Sequence, residues 1–316
     1  MIRFLSHDTI DKARWDDRIN SAMNGNLSAC SWYLDIVSPG WCALIEDDYE
    51  VVFPLPVSSK AGFEYIMQPY FTQQLGLFYP SGIPEEKTAQ FLTSIPHKYK
   101  IVDINLNTSN HISSLETITD KTNLELDLNC EYAEIAAAYK NNLVRNLAKA
   151  GQSKLTIAKH VSPDEIVQLF KSNKGQELKH LGDKQYRLIQ RIASESINRG
   201  MGKIWGACDE HNQLLAAILW VTSHRKAIFL FSALSAKGKS LNAMPWLIDA
   251  FIRQNCPKPL TLDFEGSNNE GLARFYSSFG ANREVYQRFF RNTLPLPLSS
   301  ILKTWRKIRH KLQNWQ

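Results

Sequence analysis

The sequence predicts a mixed α/β protein made of two similar domains and a C-terminal helix. Three observations support this prediction. Residues 260–264 alternate between apolar and polar side chains, as in a strand with two unlike faces, and a helix-like stretch follows them. Residues 226–234 form an almost continuous apolar run, which is typical of a central strand. Both halves of the chain show a similar order of helices and strands, although no residue-level repeat is visible.

The first half predicts a sheet flanked by helices. Apolar residues at helical spacing indicate the helices, and apolar runs bounded by turn residues indicate the strands. The predicted helices are 11–23, 28–37 and 84–94, and the predicted strands are 41–45, 51–57, 63–68, 75–79 and 101–106. We interpret residues 1–125 as the first domain, which lacks a cofactor site.

The second half repeats this order of elements. The predicted helices are 163–170 and 184–199, the predicted strands are 202–208, 214–222 and 227–234, and a helix, a strand, a helix and a strand follow. We interpret residues 126–295 as the second domain, each domain being a mixed twisted sheet with helices on its faces. This second domain is expected to contain the functional site, between the ends of the strands at 227–234 and 260–264.

Two carboxylates follow the predicted strand at 260–264. Asp263 and Glu265 lie where the strand ends, and open α/β sheets bind ligands beyond the carboxyl ends of their strands. Glu265 is the predicted general base, because partial burial raises the pKa of a carboxyl group. Asp263 and His224 are the alternatives, and Glu265 can instead cap the next helix.

The following helix presents a tyrosine near this strand end. Asn268 or Asn269 can cap the helix, its apolar stripe includes Phe275 and Phe279, and Gly280 is a natural stop. Tyr276 lies one residue off that stripe, so its hydroxyl can reach a ligand. The alternative is that the tyrosine packs with its hydroxyl at the surface.

A candidate phosphate loop joins the strand at 227–234 to the next helix. It reads Ser235, Ala236, Lys237, Gly238, Lys239, Ser240. A glycine turn between a strand and a helix forms an anion site, because unpaired backbone N–H groups and the helix dipole point at the ligand. We therefore predict that Ser235, Lys237, Gly238, Lys239, Ser240 and Asn269 bind a phosphorylated cofactor.

The same loop also fits a loose nucleotide-binding pattern. Residues 233–240 read A-x-x-x-x-G-K-S, so nucleotide hydrolysis is an alternative function. Too few residues follow Ser240 for the further strands of such a fold, and one glycine gives the loop little freedom to wrap phosphates. This alternative is disfavoured.

The end of the chain resembles the last motif of the GNAT superfamily of acyl-CoA N-acyltransferases. The matching residues are Asn269, Ala273, Phe275, Tyr276, Gly280 and Ala281. The resemblance implies N-acyl transfer from acyl-CoA to a small-molecule or peptide amine, with Tyr276 protonating the leaving thiolate. The family motif Q/R-x-x-G-x-G/A reads S-x-x-G-x-S in this chain, which also makes a catalytically inactive binding protein of the same fold an alternative.

The order of elements is similar to that of the tandem-domain, FemABX-like transferases. The local matches are SWYLD at 31–35, QPYFTQQLG at 68–76, YKNNLVRNLAKAG at 139–151 and DFEGS at 263–267. This resemblance implies an aminoacyl-tRNA donor as a further alternative. Members of that group often contain a coiled-coil arm in the second domain, and the sequence predicts none here.

Composition excludes several classes of protein. A net charge of +6 is modest and permits an anionic ligand such as coenzyme A or tRNA, although a solvated basic surface explains it equally. The five cysteines and eight histidines are dispersed, so neither a disulfide framework nor a metal site is predicted. The first twenty residues become charged too early for a secretion signal, and no apolar run is long enough for a membrane span. A cytoplasmic protein is expected.

The last residues predict a basic amphipathic helix over 298–316. Leu298, Ile301, Trp305, Ile308 and Leu312 recur at spacings of three and four, and lysines and arginines occupy the remaining surface. Such a helix can bind an acidic membrane surface, pack on its own protein or pair with a second copy in a homodimer. The sequence leaves these alternatives open.

Overall fold

The computed structural model describes residues 1–60, 62–82, 85–113, 117–178, 181–266 and 268–295. The chain divides into two compact units, and each contains strands and helices. The first unit contains Met1–Thr122 and the segment that begins at Glu284, and the second contains Asn123–Arg283. The mixed α/β class predicted from the sequence is confirmed.

The first unit contains three α-helices and two sheets in its described residues. Its helices are α1 Lys12–Ser21, α2 Ser31–Val37 and α3 Glu85–Thr93. Its strands are β1 Ile2–Leu5, β2 Cys42–Glu46, β3 Val51–Leu55, β4 Val57–Lys60, β5 Phe63–Met67 and β6 Ile101–Asn105, with most of β13 Asn282–Asn292. One sheet has the antiparallel order β1-β2-β3. In the other, β4-β5 is antiparallel, β5-β6 is parallel and β6-β13 is antiparallel.

The first helix shows how this unit builds its core. The Asp11 side chain caps α1 by accepting from the backbone N–H groups of its first turn. Trp15 and Ile19, four residues apart on one face, are fully buried. The Trp15 indole donates to the Ala29 carbonyl over 2.8 Å, so its polar atom is paired inside the core.

A buried ion pair joins β6 to β13. Arg288 donates from Nε to Asp103 Oδ1 over 2.6 Å and from Nη2 to Asp103 Oδ2, a two-point contact. Both side chains are less than a tenth exposed. Because both charges are largely removed from solvent, the ion pair offsets much of the cost of burying them.

The second unit contains a sheet in the order β7-β12-β11-β10-β9-β8. Its strands are β7 Ile118–Asp127, which enters the unit at Asn123, β8 Thr156–Ala158, β9 Gly202–Cys208, β10 Leu214–Ser223, β11 Lys226–Leu234 and β12 Thr261–Asp263. Only β11-β12 is a parallel pair. The helices are α4 Tyr132–Ala137, α5 Asn141–Gly151, α6 Pro163–Lys171, α7 Asp183–Asn198, α8 Ala236–Ser240, α9 Ala243–Asn255 and α10 Glu270–Ser277.

Aromatic side chains fill one face of this second sheet. Trp220 on β10 stacks on Phe251 of α9 with ring centroids 3.9 Å apart, and Trp205 on β9 meets the same ring at 5.4 Å. The core continues through Phe264 to Phe279, which are both buried. Helix α9 is therefore packed on β9 and β10.

The structure differs from the predicted elements at several places. Residues 75–79 form isolated bridges instead of a strand, and 57–60 form a separate strand that the sequence did not predict. The sequence assigned 126–295 to one domain, but residues 288–292 pair with β6, so the chain from Glu284 belongs to the first unit. The predicted helix over 298–316 lies outside the described residues. Within the described part of the chain, no helix combines the length and apolar character needed to cross a membrane.

Replacing Asp103 with asparagine should destabilise the first unit strongly. The substitution leaves the Arg288 charge buried without a counter-charge, which costs about 3 kcal/mol or more. Urea denaturation measures the loss. Glu64→Gln is the control, because its ion pair with Lys98 is about half exposed and such pairs contribute about 1 kcal/mol or less. Equal losses in the two variants would contradict this account of the buried pair.

Candidate functional site

The candidate site lies where β11 and β12 stop pairing. The parallel register joins Lys226 to Thr261 and ends with Ile228 opposite Asp263, whereas β11 continues to Leu234. Beyond this point β11 also contains a bulge at Leu230, where its pairing with β10 skips one residue. The pairing of the two strands therefore ends within β11, six residues before Leu234.

One face of the strand end is aromatic. Phe264 follows β12, and Tyr276 of α10 stacks on it with ring centroids 4.7 Å apart and an interplanar angle of 20°. Phe229 of β11 meets the Tyr276 ring at 5.8 Å. Asn269 places the tyrosine here by capping α10, since its side chain accepts from the N–H groups of the first turn.

The Tyr276 hydroxyl has no hydrogen-bond partner among the residues that the structure describes. Only 8% of the residue is exposed, and this burial raises the pKa of the phenol. Tyr276 therefore stays protonated across the ordinary pH range and retains a proton to donate.

The opposite face of the same strand end is charged. Asp263 and Phe264 are consecutive, so their side chains point to opposite sides of the sheet. Asp263 lies directly across from Glu125 on β7, and Lys226 approaches both, with Nζ 2.6 Å from Glu125 and 3.4 Å from Asp263. Asn123 donates to Asp263 over 2.9 Å. One lysine thus neutralises two adjacent carboxylates, which would otherwise repel each other.

Glu265 follows Phe264, at the point where the aromatic face and the charged face of the strand end meet. Its φ is +50°, in the left-handed region, and its backbone N–H donates to Asp263 Oδ1 over 2.9 Å. The next N–H, that of Gly266, donates to Asn123 Oδ1 over 2.7 Å. Burial, followed by the Asp263 charge, raises the pKa of Glu265 well above the ordinary value, and Lys226 opposes this rise.

The predicted phosphate loop forms a capped turn. Ser235 Oγ accepts the Gly238 N–H over 2.9 Å, so that amide already has a partner. Gly238 is buried against the Leu215 carbonyl, where an added Cβ would lie 2.4 Å from the oxygen. The glycine is therefore explained by close packing, without any ligand.

The charged residues of this loop differ in their surroundings. Lys237 extends to Asp209, and its Nζ lies 2.5 Å from the carboxylate. That bond, with backbone N–H donors, lowers the pKa of Asp209 to about 2. Lys239 and Ser240 are exposed. Of the two lysines predicted to hold a phosphate, only Lys239 is without an ion-pair partner among the described residues.

Sequence analysis missed the residues that surround Asp263. The segment 122–127 reads TNLELD, in which Asn123 and Glu125 alternate with leucines, so a polar strand face was visible. Lys226 was assigned only to the start of an apolar run. His224, the alternative base, lies in the tight turn before β11, at the end of that strand opposite to Leu234.

Stability should depend on pH through Glu265. Its folded pKa is raised, so the folded state keeps a proton that the unfolded state loses above about pH 4.5. The free energy of unfolding should therefore fall as pH rises through this window. Glu265→Gln removes that loss, and urea titrations between pH 4 and 8 should show the variant gaining stability relative to the parent as pH rises. The exposed Glu210→Gln is the control, and parallel curves for Glu265→Gln and the parent would disprove the assignment.

Gly238→Ala should destabilise the second unit by about 1–3 kcal/mol through overpacking against Leu215. The matched control is Gly151→Ala at the end of α5, where nothing lies within 4 Å of an added Cβ. At position 151, alanine should leave the free energy of unfolding unchanged or raise it by up to about 1 kcal/mol. Thermal or urea unfolding compares them, and equal effects would refute the packing role of Gly238.

Comparison with known proteins supports the fold. No protein-family model matches the chain, and no curated protein matches its sequence. The crystal structure of FemX matches with a TM-score of 0.64 at 12% identity, over 95% of this chain and 99% of FemX. A conserved protein of unknown function from Bacteroides thetaiotaomicron VPI-5482 matches with a TM-score of 0.58 at 10% identity, over 93% of this chain and all of that protein. The described chain therefore has a FemX-like fold, as the order of its sequence elements predicted.

Proposed function

We propose that this protein transfers an acyl or aminoacyl group from an activated ester to an amine. The observation that supports this most is the pairing of two groups at one strand end. Glu265, with its raised pKa, directly follows Phe264, and the protonated Tyr276 stacks on that ring. Transfer to an amine needs both a base and an acid, and a carboxyl and a phenol that can exchange protons lie together at this strand end.

Glu265 is the proposed base. The amine nitrogen attacks the donor carbonyl carbon, and the excess proton on nitrogen passes to the carboxylate. A carboxyl with a raised pKa accepts a proton more readily near neutral pH than an ordinary one. The hydrogen bonds of the Glu265 and Gly266 amides to Asp263 and Asn123 hold the backbone in position for this step.

Tyr276 is the proposed acid, and the backbone of β11 is the proposed support for the oxyanion. When the tetrahedral intermediate collapses, the bond from the carbonyl carbon to the leaving atom breaks, and the tyrosine proton moves to that atom. The hydrogen-bonded pairing of β11 with β12 stops at Ile228. The backbone groups of the β11 residues after Ile228, beside the bulge at Leu230, lie outside this pairing. Backbone N–H groups at such a gap suit a developing oxyanion.

The same observations favour an oxygen ester over a coenzyme A thioester as the donor. Thiols ordinarily have a pKa of about 8.5, so a tyrosine whose pKa is raised above 10 is a poor acid for a thiolate. An alkoxide is a much stronger base and takes that proton readily. In addition, the Gly238 N–H already donates to Ser235 Oγ, and Lys237 already pairs with Asp209. Fewer groups of this loop therefore remain to bind a pyrophosphate. An aminoacyl ester of an RNA 3′ end is the proposed class of donor.

Tyr276→Phe should lower kcat about 10²–10⁴-fold with little change in KM, because it removes only the proton donor. The assay follows loss of ester from aminoacylated RNA in the presence of a panel of primary amines. A parallel assay follows thiol release from acetyl-CoA. Tyr186→Phe is the control, since it removes the hydroxyl of another buried tyrosine of the same unit.

Three results would count against the proposal. Activity with acetyl-CoA alone would overturn the donor assignment and restore the coenzyme A prediction. Full activity of Tyr276→Phe would remove the acid role. Binding of donor without turnover of any donor would favour the catalytically inactive binding protein.

A further inference from the structure

A pocket lies in the second unit, among helices α4, α5 and α9. Its volume is about 350 Å³, which is within the usual range for small-molecule sites. Each helix contributes residues at spacings of three, four or seven, so one face of each helix forms a wall. The residues proposed for catalysis do not line it.

One end of this pocket holds a buried carboxylate. Asp249 of α9 is 7% exposed, and its Oδ1 accepts from the Tyr132 hydroxyl over 2.8 Å and the Tyr139 hydroxyl over 2.9 Å. Burial, followed by the Asp249 charge, raises the pKa of Tyr139, so that tyrosine remains a donor. Both hydroxyl protons are thus committed to Asp249.

Arg253 lies at the same end and has donors to spare. Its Nη2 donates to the Tyr132 hydroxyl over 2.8 Å and lies 3.4 Å from Asp249 Oδ2, and the guanidinium rests 4.3 Å from the Tyr132 ring centroid. Among the described residues, none accepts from its Nε or Nη1. The side chain is 64% exposed. The contacts with Tyr132 and Asp249 hold Nη2 in place and leave Nε and Nη1 available as donors.

The remaining walls are largely apolar. Ala136, Val144 and Leu147 line the pocket from α4 and α5, and Trp246 lines it from α9. Val144 is 48% exposed although it is a large aliphatic residue, so this wall is open to solvent. A ligand with an apolar body would cover this wall and remove its apolar surface from water, which is favourable.

We infer that this pocket binds an amphiphilic carboxylate, with its apolar body along α5 and its head on Arg253. The remaining guanidinium donors, Nε and Nη1, can make charge-assisted hydrogen bonds to a carboxylate. A cationic head is disfavoured. Asp249 already accepts hydrogen bonds from two hydroxyls and lies beside Arg253, and a cation that approached Asp249 would have to displace the Arg253 guanidinium. This inference does not rest on the proposed transferase activity.

The test uses the full chain and three probes of equal chain length. Isothermal titration with decanoate, decan-1-ol and decyltrimethylammonium, all below micelle formation, compares an anionic, a neutral and a cationic head. Decanoate should bind most tightly. Arg253→Met should weaken decanoate binding about 10- to 100-fold, as expected for loss of a charge-assisted contact, and should leave decan-1-ol unaffected.

Two further variants complete the experiment. Arg145→Met is the matched control, because Arg145 is an exposed arginine on α5 that does not line the pocket. Leu147→Trp fills the apolar wall and should weaken decanoate and decan-1-ol alike. Decanoate binding no tighter than decan-1-ol, tighter binding of the cation, or parent-like binding by both Arg253→Met and Leu147→Trp would overturn the inference.

Discussion

The parallel pairing of β11 with β12 covers three residues of each strand, and Lys226 stabilises its polar face. In this register Asp263 lies across from Glu125, an arrangement of like charges that destabilises a sheet unless a cation compensates. Lys226 provides that cation from the first residue of β11. Because Asp263 is held there, it can accept the Glu265 N–H and set the path of the chain as β12 ends.

Two unlike environments meet at this point because strand side chains alternate. The face with Phe264 is aromatic and dry, and it raises the pKa of Tyr276 through burial alone. Glu265 follows with φ of +50°, a conformation that side-chain-bearing residues seldom adopt. Strain of this kind persists only where the surroundings fix the backbone, and it is found preferentially at functional sites. The hydrogen bonds to Asp263 and Asn123 provide that fixation.

Much of this arrangement could be predicted from local pattern. The cap at Asn269, the amphipathic helix and the stop at Gly280, whose φ is +83°, follow from residue chemistry within one segment. The apolar run of β11 and the alternation of β12 are also local properties. The sequence therefore located the strand end and both residues proposed for catalysis.

The rest depended on contacts between distant segments. The alternation in residues 122–127 indicates a strand, but no local rule places it beside β12, more than a hundred residues away. The glycine of the loop was interpreted as part of a turn that forms an anion site, whereas Gly238 permits close approach to Leu215. Residues 75–79 have a strand-like composition and make only isolated bridges, since strand formation needs a neighbour along the whole segment.

The most direct test of the central claim is the pH dependence of transfer in the parent and in Glu265→Gln. If Glu265 is the base, the parent kcat should rise with pH and level off above the raised pKa of this carboxyl, well above the ordinary glutamate value of 4.5. The variant should be slower and should lack that rise. Identical pH profiles for the two proteins would contradict the account.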